Sequence, residues 1–97
     1  VTITPDRGWR LPPGQRLVFE DFEDGIVLFD ALVGGTHLVN VTAAEALTIV
    51  EEAPGLSAAQ IHARLLERLA LGADALPLDA IEELLRRLAA LDLVADE

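Results

Sequence analysis

The hydrophobic pattern changes period once along this chain, near residue 41, and that change bounds the fold. Before it lie three short apolar runs separated by glycine-containing punctuation. After it, apolar residues recur every three to four positions. Strand spacing thus gives way to helix spacing. Three strands followed by three helices predict an α+β domain, with a small antiparallel sheet packed on a helical bundle. A length of 97 residues suits one such domain.

The first strand is expected over Arg16 to Phe22, where Leu17, Val18, Phe19 and Phe22 supply the apolar positions. Glu23-Asp24-Gly25 follows, and Asp-Gly is a favoured hairpin turn because glycine accepts a positive φ. Ile26 to Phe29 is a continuous apolar run short enough for a buried strand. Gly34-Gly35 marks a second turn. The third strand is expected over Thr36 to Val41, with Leu38 and Asn40 on one face and His37, Val39 and Val41 on the other. Ahead of all three, Pro5, Gly8, Pro12, Pro13 and Gly14 mark residues 1–15 as an extended arm. Trp9 and Leu11 are suited to pack that arm on the body, leaving 16–97 as the domain proper.

Thr42-Ala43-Ala44-Glu45 reads as a capping box that opens the first helix. That helix runs to about Ala53, turns Ala43, Leu47 and Val50 inward, and stops at Pro54-Gly55. Ser57-Ala58-Ala59-Gln60 is a second capping box. The helix behind it presents Ile61, Leu65 and Leu69 and ends near Leu71-Gly72. Pro77 suits the first turn of a third helix, where its missing N–H costs nothing. Ile81, Leu84, Leu85, Leu88 and Leu91 form that helix's apolar stripe, the clearest in the chain.

Charge excludes some partners. All seven basic residues are arginines, set against 17 aspartates and glutamates, for a net charge of −10. Affinity for nucleic acid comes largely from neutralising phosphates, so nucleic acid is not an expected partner. A basic peptide or a positive protein surface is attracted, although such a charge also serves solubility alone. No apolar run approaches the roughly 20 residues that span a bilayer, and no membrane association is expected. Val1 to Arg10 lacks the basic-then-apolar order of a signal peptide, and cysteine is absent. A cytoplasmic location is the resulting expectation.

The strand ending in Leu38-Val39-Asn40, the helix opening at Thr42-Ala43-Ala44, the stretch Leu56-Ser57-Ala58-Ala59-Gln60-Ile61 and the closing Leu91-Asp92-Leu93-Val94 together resemble the PqqD family. Trp9-Arg10-Leu11-Pro12-Pro13-Gly14 and Gly35-Thr36-His37-Leu38 look closest to the PqqD-like proteins of HPr-related-A systems, which are named for a partner resembling HPr kinase. The likeness covers about residues 9–95. It departs at Ala46-Leu47, where many members carry an aromatic residue. It implies a winged helix-turn-helix-like domain that binds a ribosomally made precursor peptide and presents it to a modifying enzyme, without cofactor or catalysis of its own. In such domains the peptide adds to the edge of the third strand and lies against the third helix. Carried onto this chain, the peptide-binding residues are Thr36, His37, Leu38, Val39, Asn40 and Val41 on the edge. Ile81, Leu84, Leu85 and Leu88 form the wall, with Arg87, and Arg86 beside it, at the rim. Leu84 and Leu88 are expected to be mostly core.

The residues give little support to catalysis. Ser57 is the only serine and sits where a helix cap belongs; no base and orienting group accompany it. His37 stands near many carboxylates, but metal sites usually need three or more protein ligands, and a strand histidine making a hydrogen bond is the simpler reading. His62 is expected at a partly exposed position on the second helix. The Glu20-Asp21-Phe22-Glu23-Asp24 run suits a solvated strand end better than a cation site. Gly34-Gly35 lacks the Lys-Ser/Thr of a phosphate loop. Two other functions fit the same elements: a winged-helix DNA regulator using Arg64, Arg68, Arg86 and Arg87, and a scaffold that forms homodimers.

Overall fold

The computed structural model describes residues 8–23, 25–32 and 34–96. Among these residues five strands and three α-helices follow in the order β1 (Trp9–Arg10), β2 (Leu17–Phe22), β3 (Gly25–Asp30), β4 (Thr36–Val39), α1 (Val41–Glu52), α2 (Ala58–Arg68), α3 (Leu78–Ala90) and β5 (Ala95–Asp96). A short 3-10 turn, Ala73–Ala75, precedes α3. Strands β2, β3 and β4 form one antiparallel sheet in that order. The expected three-stranded sheet followed by three helices is therefore present. Strand β5, which no periodicity announces, pairs antiparallel with β1.

In the first hairpin Phe22 pairs with Gly25 across a two-residue loop, Glu23-Asp24, of which Asp24 lies outside the described residues. Gly25 has φ +146°, which a side chain rarely adopts. A Cβ there would also stand 3.3 Å from Leu38 Cδ1. The glycine thus belongs to the strand rather than to the loop tip, and Leu38 lies across it.

The register sorts the sheet into two faces. Leu17 pairs with Asp30, Leu28 with Phe19 on one side and His37 on the other, and Ile26 with Val39. These side chains turn toward the helices, where Leu28 is fully buried. The alternate set points outward: Val18, Phe29 and Leu38 are exposed and Val27 is half-buried. Of the run Ile26 to Phe29, expected to be buried, Leu28 alone is: Ile26 and Val27 are half-buried and Phe29 is exposed, because among the described residues the helices cover one face of this sheet.

Leu28 meets Leu47, Val50, Ile61, Leu65, Ile81, Leu85 and Leu93 in a single core. Burying one leucine of this kind contributes roughly 1.5–3 kcal/mol. In α1, Ala43, Ala44 and Ala46 are buried beside Leu47, Ile49 and Val50, so small side chains let the helix lie close to its neighbours. Trp9 and Leu11 pack against the same core. Trp9 N–H donates to Leu56 O (2.9 Å) while Trp9 O accepts from Gly55 N–H (2.9 Å). The described part of the arm is thus held between β5 and the turn before α2. Residues 1–7 lie outside the described residues.

The helix ends correct three expectations. Asn40, not Thr42, caps α1: its Oδ1 accepts from Ala43 N–H at 2.8 Å. Asparagine caps at least as well as threonine, and starting there lets β4 run into α1 with no loop between them. Pro77 is the N-cap of α3, one residue ahead of its first turn. The Ser57 capping box is formed as expected, with Gln60 N–H to Ser57 Oγ at 3.2 Å and Ser57 N–H to Gln60 Oε1 at 2.9 Å. Helix α2 stops at Arg68, ahead of the expected Leu71-Gly72. There Ala70 takes φ +53°, Leu71 N–H donates to Leu66 O, and Ala70 N–H donates to Glu67 O. This is the left-handed ending that glycine ordinarily occupies. Ala70→Gly is expected to stabilise the domain by about 0.5–1 kcal/mol. A thermal melt checks this, and an unchanged or lower midpoint contradicts it.

Two side-chain ties hold the helices in place. Arg68 donates to Glu45 Oε2 and to Glu52 Oε1, each at 2.8 Å, joining α2 to α1. The bond to Glu45, then that to Glu52, pushes the guanidinium pKa further up. The pair lies at the surface, so its contribution to stability is small. His62 Nε2 lies 2.6 Å from Leu76 O, so the half-buried ring donates to the segment ahead of α3. Among the described residues, no helix is long and apolar enough to cross a membrane.

Candidate functional site

Among the described residues β4 is an edge of the sheet: it pairs with β3, and β2 forms the opposite edge. Asp30 N–H donates to Gly35 O at 2.9 Å, which sets the phase of the β3–β4 ladder. Antiparallel bonding alternates along a strand. Positions 35, 37 and 39 therefore direct their peptide groups to β3, whereas Thr36 and Leu38 direct theirs along the open edge. The edge is shorter than expected. Asn40 is the cap of α1 and Val41 its first residue, so neither belongs to the strand. Asn40 keeps an extended backbone (φ −88°, ψ 173°), but its side chain caps α1 and the chain turns helical at Val41.

The two faces of the edge differ. Thr36 and Leu38 are exposed on the outer side, Leu38 at 69%. His37 and Val39 are half-buried on the inner side, and Val39 touches the core. His37 Nε2 lies 3.6 Å from Asp30 Oδ2, a separation suited to an ion pair when the ring is protonated but too long for a hydrogen bond.

A polar cluster beneath the edge had no counterpart in the sequence reading. Gln15 and Asp30 are both buried, at 7% and 2% exposure. Gln15 Nε2 donates to Asp30 Oδ1 (2.9 Å) and to Asp92 O (3.3 Å). Its Oε1 accepts from the amides of Arg16 (3.0 Å) and Leu32 (3.2 Å). Leu32 N–H also donates to Asp30 Oδ1 at 3.0 Å. One side chain thus joins the start of β2, the end of β3 and the turn after α3. Parity offered a faint signal, because Asp30 shares the inward phase of Ile26 and Leu28. Gln15, inside a proline- and glycine-rich stretch, offered none.

The expected wall divides into core and surface. Ile81, Leu85 and Leu88 are buried in the core, at 4% exposure or less. Their place on the inward stripe of α3 leaves them no surface to line a groove. Leu88 is core as expected, whereas Leu84 is half-buried. Leu91 is exposed. Arg87 is exposed and donates to Glu83 Oε1 at 2.9 Å, one helical turn away. The closely packed pairs of elements include α2 with α3 and β3 with β4; β4 and α3 are not among them. The edge is therefore the better-formed half of the expected site.

Little else in the described residues suggests chemistry. Ser57 Oγ is engaged as a cap. No group of three or more His, Cys, Asp or Glu side chains is placed to hold a metal, among the described residues. A hollow of about 350 Å³ between the arm and the end of α1 is lined by Arg10, Leu11, Pro13, Val50, Glu51 and Pro54. That set contains no nucleophile. No family model, curated protein or solved structure matches the chain.

Proposed function

We propose that this is a PqqD-like, non-catalytic domain of the cytoplasm that binds a precursor peptide as an added strand and presents it to a modifying enzyme, one related to HPr kinase. The observation that carries the reading is the open edge of β4, where Thr36 and Leu38 turn their peptide groups outward. An extended peptide can take up those groups, gaining generic affinity from the backbone and selection from alternate side chains. Its inward side chains would fall beside His37 and Val39, and its outward ones beside Thr36 and Leu38. The short edge supplies few bonds, so Leu84 and the Arg87 rim of α3 are proposed to add contacts to the peptide's side chains. The resemblance of residues 9–95 to the family supplies the class of ligand, and the net charge of −10 favours a basic one.

Overlapping fragments of candidate precursor peptides test the reading, followed through backbone amide shifts. The expected result is micromolar or tighter binding, with shifts clustered on Thr36 to Val39. N-methylation of the bound fragment should weaken binding at alternate residues only, because every second peptide N–H faces the domain. Equal loss at successive residues, or shifts that avoid β4, would exclude strand addition.

A further inference from the structure

The outward face of the three-stranded sheet is apolar where an uncovered face is ordinarily polar. Its rows are Val18–Phe29–Thr36, Glu20–Val27–Leu38 and Phe22–Gly25. Val18, Phe22, Phe29 and Leu38 are 56%, 57%, 40% and 69% exposed. Leu38 lies over Gly25, which keeps the surface flush. From these features we infer that the outer face is a second binding surface, one that receives a single amphipathic helix of a partner protein with basic residues along one flank.

Area and charge select this occupant. Six-residue strands about 3.3 Å per residue and about 4.8 Å apart give a face of roughly 20 by 14 Å, or about 280 Å². A stable pairing of two folded surfaces takes about 800 Å² from each, so this face is too small to hold a second copy. It does match one helix of about 14 residues, which is roughly 20 Å long and 10 Å wide. Glu20 stands within the apolar rows and Glu23 follows at the turn, both exposed. Arg16 shares the outward parity at the other end of β2 and is also exposed. A helix seated here meets carboxylates at the turn end and a guanidinium at the far end. Lysine or arginine over Glu20 satisfies the charged group that the docked helix would otherwise cover. A second copy instead brings another net charge of −10.

This inference does not depend on the edge reading, and its test reads different nuclei. The probe is a synthetic helical peptide of about 14 residues, with a leucine stripe flanked by lysines. A matched peptide carries glutamates in their place. Methyl shifts of Val18, Val27 and Leu38 report on the face, whereas amide shifts of Thr36 and Leu38 report on the edge. The lysine peptide should move those methyls and bind about tenfold more tightly than the glutamate peptide. Glu20→Lys should abolish or invert that preference. Phe22→Ser, at an exposed position, should weaken binding with the fold intact by circular dichroism. A preference unchanged by Glu20→Lys would reduce the effect to net charge and overturn the inference. Methyl shifts that miss the face, or a concentration-dependent dimer burying it, would overturn it too. In each of those cases strand addition at β4 stands or falls on its own amides.

Discussion

Leu28→Ala is expected to lower the unfolding free energy by about 3–4 kcal/mol, since Leu→Ala in a packed core loses transfer energy and leaves a cavity. Leu28 is fully buried at the middle of the central strand and touches the core built by all three helices. It fixes the sheet to the bundle, and β4 is carried on β3. For a domain of this size the thermal midpoint should fall by about 15–25 °C. Val18→Ala is the natural control. It alters the neighbouring strand on the outward face, where Val18 is 56% exposed, and should stay within about 0.5 kcal/mol. Urea unfolding of both variants checks the pair. Comparable losses in the two would mean that the inward and outward faces are assigned wrongly.

Gln15→Leu is expected to destabilise the domain by about 2–3 kcal/mol, although leucine nearly keeps the volume. The glutamine satisfies the Arg16 and Leu32 amides and donates to Asp30 and Asp92 O. Buried groups that lose a partner bear the cost of having left water. The substitution should also speed hydrogen exchange at Leu32, where Asp30 Oδ1 would be the remaining acceptor. A variant as stable as the parent would show that the cluster contributes nothing net.

How much of this was legible in the sequence depended on whether the signal was local. The strand and helix order followed from the change of period, and Ser57 with Gln60 announced its own cap. Thr42 misled because it satisfies the same local pattern as a true cap, whereas the choice of Asn40 depends on where β4 ends. The β1–β5 pair was hidden because two-residue strands have no period, and its partners stand at opposite ends of the chain. Gln15 was hidden for a related reason: its four hydrogen bonds reach residues from 16 to 92. On α3 the spacing identified the stripe but not its margin. Burial at Ile81, Leu85 and Leu88, against half-exposure at Leu84, is set by which side of α3 packs on its neighbours, α2 among them.

The most direct test of strand addition is amide hydrogen exchange along β4, with and without a saturating precursor fragment. In the free protein Thr36 and Leu38 should exchange fast, while His37 and Val39, bonded to β3, exchange slowly. Bound peptide should slow Thr36 and Leu38 by at least about tenfold and leave the other two little changed. If the fragment binds while Thr36 and Leu38 exchange as before, the peptide lies elsewhere and the edge is not the site.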